Sequence, residues 1–123
     1  AVEKTFWQRY VLAHLPSVRV HHIRLPDGDR DKHDHPWDAR TIVLKDWYDE
    51  ERLEQTWAGQ HTPVPYTRRA GDTAPLNFGE YHQITCIAEG GAWTLFITWK
   101  YQGTWGFLVD GKKVPYKEYL GIK

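Results

Sequence analysis

Several short stretches of this chain alternate apolar and polar side chains with a period of two, and turn-forming residues separate them. From Ala92 to Tyr101 the alternation sets Trp93, Leu95, Ile97 and Trp99 on one side, the pattern of a half-buried strand. Tyr81–Ala88 precedes it across Glu89-Gly90-Gly91, so the two segments predict a hairpin. Val18–Leu25 is rich in β-branched residues and runs into Pro26-Asp27-Gly28-Asp29, which predicts a strand followed by a polar loop to Asp34. Thr41–Lys45 and Trp47–Leu53 read as strands interrupted near Lys45-Asp46, with turns at Ala58-Gly59-Gln60 and Arg69-Ala70-Gly71-Asp72. Pro63 and Pro65 lack the amide proton an inner strand needs, which assigns the segment between those turns to a sheet edge or a loop.

Two segments stay open. In residues 2–15, Val2, Phe6, Tyr10 and Ala13 fit a helical stripe while Thr5, Trp7, Arg9 and Val11 fit a strand. Val114–Leu120 fits one helical turn or a docked tail. Strands spaced by about ten residues and separated by turns predict an all-β sandwich or barrel, and seven Trp and seven Tyr strengthen that reading because aromatic residues favour strands. Trp47, Trp93 and Trp99 are expected in the barrel core. A chain of 123 residues fits one domain over 1–123, in which residues 1–15 could be an N-terminal arm.

Charge and cysteine content remove some classes of partner. Sixteen basic residues balance sixteen acidic ones, which gives no long-range field for nucleic acid or an anionic membrane. The chain opens without a cationic stretch and apolar core, and no apolar run approaches the roughly 18 residues of a membrane span. The single cysteine, Cys86, has no internal partner, which fits a reducing compartment, and the cytoplasm is the expected location. Cys86 shares strand parity with His82 and Ile84 and is expected to point inward.

The chemistry concentrates in histidine. In an extended His33-Asp34-His35 both imidazoles project from one face, where they can share a metal at about 2.0–2.2 Å. A third, His82, follows about fifty residues later, in a strand that a Gly71-Asp72 turn and Gly79 precede. His21 and His22 are adjacent, so one of them faces inward in a strand and could act as an acid or base, whereas His14 and His61 read as surface residues. Arg40, Arg68 and Arg69 could hold a substrate carboxylate, and a pocket-facing Tyr48, alternating with Glu50, could donate a hydrogen bond to substrate.

The spacing resembles the cupin superfamily, whose second motif, G-x5-P-x-G-x2-H-x3-N, falls in register on Gly71, Gly79 and His82, with Asn77 at the Pro position and Cys86 at the Asn position. The first motif keeps His33 and His35. Asp27 and Asp46 stand at its glycines and Ala39 at its Glu. His33-Asp34-His35-Pro36-Trp37-Asp38, Trp93-Thr94-Leu95 and Trp105-Gly106-Phe107 resemble a group of small bacterial and phage cupins, and the likeness runs from about Val18 to Leu120. The resemblance implies a double-stranded β-helix, a jelly-roll barrel with a divalent transition metal on His33, His35 and His82. Iron(II) is the leading candidate, and manganese, nickel and zinc are the others. Asp38 is a candidate fourth ligand if Pro36 bulges the chain, or otherwise a hydrogen-bond acceptor; Tyr48 and His22 are the candidate catalytic residues. The implied activity is that of a dioxygenase-like oxidoreductase acting on a small-molecule substrate, without nucleic acid or membrane, in a homodimer. A non-enzymatic binding or interaction module and a sugar isomerase or epimerase are the rivals.

Overall fold

The computed structural model describes residues 17–122, so the expected arm over 1–15 and the surface assignment of His14 lie outside the described residues. Among the described residues nine strands and one short helix follow in order: β1 Ser17–Ile23, β2 Trp37–Lys45, β3 Trp47–Gln55, β4 His61–Arg69, β5 Thr73–Leu76, β6 His82–Ile87, β7 Ala92–Tyr101, β8 Gly106–Val109, β9 Lys112–Pro115 and α1 Tyr116–Leu120. All pairings are antiparallel. One sheet has the order β1-β7-β2-β5, another β4-β3-β6, and β8 pairs with β9. This is the all-β jelly-roll that the cupin resemblance implies, within the sandwich or barrel class that the alternating pattern predicts.

Turn chemistry sets the connections. Asp46 occupies a left-handed conformation, φ 66°, between β2 and β3, and Gly90 and Gly91, φ 86° and 91°, turn the chain from β6 to β7. The hairpin expected there does not form: β6 pairs with β3 and β7 with β1 and β2, so this turn crosses from one sheet to the other. A Cβ on Gly91 would lie 2.7 Å from the Ile23 carbonyl oxygen, so the turn also needs glycine for space. Pro63 and Pro65 lie in β4, at the edge of its sheet, where their missing amide protons leave no ladder bond unmade. The C-terminal segment resolves into β9 and the single turn of α1.

His33 stitches the second sheet to the β8–β9 hairpin. It exchanges both backbone hydrogen bonds with His82, at 3.1 and 2.9 Å, and forms a second isolated bridge with Phe107. The following amide, Asp34 N–H, donates to the Gly106 carbonyl at 3.0 Å. The core consists of two small apolar clusters: Ala39, Leu76 and Phe96, all from the first sheet, and Val43, Tyr48 and Ala92, which join β2 and β7 to β3 of the second.

Strand parity reverses two expectations. On β7 the inward residues are Ala92, Thr94, Phe96 and Thr98, while Trp93 and Trp99 are 39% and 44% exposed on the outer face and Trp47 is 37% exposed. The inner face of β7 borders a cavity, which favours small and hydroxylated side chains over indoles. On β6 the register jumps from Asp49↔Cys86 to Glu50↔Ile84, leaving Thr85 unpaired. That bulge brings both Ile84 and Ile87 inward and turns Cys86 out to solvent, against its expected inward position.

Candidate metal centre

The β6 register against His33 brings together residues 49 positions apart. Because His33 and His82 are a directly opposed antiparallel pair, their side chains leave the same face of the sheet, and their ring centroids are 4.9 Å apart. His35, two residues on, returns to that face, and its Nε2 lies 3.2 Å from Nε2 of His82. One ligating nitrogen from each of the three rings falls within a 4.8 Å group. Two metal–nitrogen bonds of about 2.1 Å meeting at the angles of a tetrahedral or octahedral site would put their nitrogens about 3.0–3.4 Å apart, a range that includes the His35–His82 separation.

Electrostatics leave His33 and His35 ready to ligate. Burial, reinforced by the neighbouring His82 and His33, pushes His35 down to about 3, and His33 is lowered by burial and then by His82. Neutral imidazoles offer the lone pair a metal needs. On the far side of His82, Nδ1 lies 2.9 Å from Glu50 Oε2. An ionised carboxylate only accepts, so Nδ1 carries the proton and Nε2 is left free to face His35.

Glu50 is 2% exposed. Burial opposes its ionisation, but the hydrogen bond from His82, with the charge and hydrogen bond of Arg52, outweighs that and holds the carboxyl at about 2. Its Oε1 accepts from Arg52 at 2.8 Å and Arg68 at 2.9 Å. The alternation of Tyr48 and Glu50 along β3 marks Glu50 as inward in the sequence; its role behind His82 requires the β3–β6 register.

Asp34, between His33 and His35, faces the other way and is fully buried. It accepts from the Gly106 and Gly79 amides at 2.8 and 3.1 Å and from Lys113 Nζ at 2.8 Å. It thus clamps the histidine segment to β8, to β9 and to the turn before β6.

The other candidates separate. Asp38 is not in the three-histidine group; its carboxylate accepts from the Phe78 amide at 3.1 Å and Gln102 Nε2 at 3.3 Å, which ties two loops together. Tyr48 does border the cavity beside the histidines, and burial followed by the charge of Glu50 pushes its phenol up to about 12. The structure does not bring His22 there: its ring stacks on outward Trp93 at 4.1 Å and its Nε2 donates to the Gly90 carbonyl at 2.9 Å. His21 takes the inward place, lining the cavity and stacking on Phe96. Arg68 is committed to Glu50 and Arg40 to Thr73, and neither lines the cavity. His61 is exposed, as expected.

The cavity between the sheets has a volume of about 230 Å³ and is walled by Leu76, Ile84 and Phe96, with Thr41 and Thr94 among its polar groups. It reaches all three histidines.

No protein-family model and no curated protein matches the chain in sequence. Solved structures match it in fold. A structure of oxalate oxidase, from a study of its mechanism, is similar with a TM-score of 0.55 at 14% identity over 91% of this chain. Recombinant oxalate oxidase in complex with glycolate gives 0.55 at 15% identity over the same share. The chain spans 58% of the length of either oxalate oxidase chain. Iron(II) HppE aligns over 74% of this chain and 46% of its own, with a TM-score of 0.48 at 14% identity. The oxalate oxidase likeness defines the fold class: this chain is folded as a cupin.

Proposed function

We propose that this cupin is a metal-dependent enzyme, with His33, His35 and His82 holding one divalent transition metal beside a cavity for a small organic substrate. The observation that carries the reading is the convergence of three imidazole nitrogens on one point, with Glu50 setting the tautomer of His82. With iron(II) as the simplest occupant, a dication on three neutral ligands would keep its full charge and open positions, polarise an anionic donor of the substrate and activate dioxygen.

The chain's own residues have definite parts. Glu50 holds the Nδ1 proton of His82 and so keeps Nε2 unprotonated. Tyr48, protonated throughout the physiological range, serves as a hydrogen-bond donor and not as a base. Thr41 and Thr94 offer hydroxyls to substrate, while Leu76, Ile84 and Phe96 displace water from it. His21, in the position first assigned to His22, is the imidazole placed to exchange a proton with bound substrate. A dioxygenase reaction, in which both oxygen atoms enter the substrate, closes without an outside electron donor.

The test is metal analysis of the purified protein, then reconstitution with iron(II) and oxygen uptake against thiols, keto acids and small aromatics. About one equivalent of metal is expected, with both metal and uptake lost in His82→Ala. Failure to bind iron, manganese, nickel or zinc overturns the reading, and a metal-free cavity holding an organic ligand would make the protein a binding module. Turnover of nucleotide sugars without oxygen would make it an isomerase.

A further inference from the structure

The histidine-lined cavity has a neighbour of about 280 Å³, and Asp27, His33 and His35 border both. Trp37, Trp105 and Phe107 provide aromatic walls to this outer space, and Asp29 contributes a second carboxylate. Trp105 is held in place by a parallel stack on Tyr116 at 4.8 Å and stands edge-on to His33 at 6.0 Å. Asp27 Oδ2 accepts from the Ile84 amide at 2.7 Å, which points that carboxylate into the fold from a fixed position.

Among the described residues no cation balances this pair. Arg30 pairs with Asp31, Lys32 with Glu51 at 2.7 Å and Lys113 with Asp34 at 2.8 Å, and neither cavity has a lysine or arginine in its lining. Two carboxylates and several ring faces around a space of this size attract a compact organic cation twice over, by Coulomb interaction in a partly dry site and by cation–π contact. A dicarboxylate would meet Asp27 and Asp29 with like charge and find no basic residue in compensation. At the inner end the demand is opposite, since three neutral ligands leave a metal dication in want of an anionic donor.

We propose that Asp27 and Asp29, with Trp37 and Trp105, select a substrate that carries an ammonium group at one end and an anionic metal-binding donor at the other. This rests on the metal-centre reading above and extends it from a site to a substrate class: small amino-functionalised anions, in preference to dicarboxylates or uncharged molecules.

Three hydroxamates with the same metal-binding end and different tails test it on the cobalt(II)-loaded protein. They are β-alanine hydroxamate with an ammonium tail, butanohydroxamate as its neutral isostere, and succinic monohydroxamate with a carboxylate tail, each titrated against the cobalt absorption bands. The ammonium compound should bind about tenfold or more tighter than the neutral one and the carboxylate compound weakest. In Asp29→Asn, and in Asp27→Asn where the amide oxygen can still accept from Ile84, the spread should shrink to within about twofold with cobalt stoichiometry unchanged. Equal or reversed affinities in the parent protein, or a preference that survives both substitutions, overturn the proposal. If the protein takes up no cobalt, the metal-centre reading fails separately. The vestibule is then judged on the metal-free protein by the shifts of the Trp37 and Trp105 indole resonances, where choline must bind more tightly than 3,3-dimethylbutan-1-ol or the cation preference falls too.

Discussion

Two buried acids sit on either side of the histidine cluster, and they do different work. Asp34 is bound by two backbone amides and one lysine drawn from three separate segments, so its partners are the course of the chain itself. Glu50 is bound by three side chains, Arg52, Arg68 and His82, all projecting from strands already paired with one another. The first acid decides where the histidine segment lies; the second decides which nitrogen of one histidine carries a proton. A carboxylate satisfied by backbone amides is a structural tie, whereas one satisfied by an imidazole and two guanidiniums adjusts chemistry on a frame that exists without it.

This contrast predicts different failures. Asp34→Ala should be the most damaging change, costing about 2–4 kcal/mol of stability in urea unfolding, because it leaves the buried Gly106 amide without its acceptor and cuts the ties to Gly79 and Lys113. Glu50→Gln should leave a folded protein whose metal affinity drops by about 10–100-fold, read by competition with a chelator, since an amide nitrogen facing Nδ1 would favour the tautomer that blocks Nε2. Should the Glu50 variant unfold as readily as the Asp34 variant, the division of labour is wrong.

Tyr48, beside Glu50, sharpens the comparison at high pH. Its folded pKa of about 12 lies above the ordinary value of 10.0, so its neutral form stabilises the fold fully below pH 10 and that contribution is lost as pH rises toward 12. Tyr48→Phe should therefore flatten the alkaline limb of the stability profile above pH 10 and leave the pH dependence near pH 7 as it is in the parent. The smallest effect is expected at Asp38→Asn, about 0.5–1 kcal/mol of stability with metal affinity unchanged within twofold, because the carboxylate ties two exposed loops and stands apart from the three histidines. A large loss of metal there would restore Asp38 as a fourth ligand.

Much of the fold is legible along the chain, and the reason is local. Asp46, Gly90 and Gly91 mark turns because few residues tolerate their backbone angles, and the prolines of β4 mark an edge because they cannot donate. Facing directions are less legible. The apolar stripe of β7 reads as a core face, yet Trp93 and Trp99 are on the outside, because the inner face borders a cavity and not a filled core. Cys86 and the choice between His21 and His22 depend on a bulge and on a pairing with β7, neither of which has a local signature.

The amino-acid sequence by itself determines that His33 and His35 share a face, that His82 begins a strand preceded by a glycine turn, and that the chain folds as antiparallel strands. Residue type and a period of two suffice for that, since both act over a few residues. Only the tertiary structure decides that His82 lies opposite His33, that Glu50 stands behind His82, and that Asp27 and Asp29 join two tryptophans at the mouth. These are matters of register between strands far apart in sequence, set by the packing of whole sheet faces, and a shift of one residue would turn each side chain to the other side.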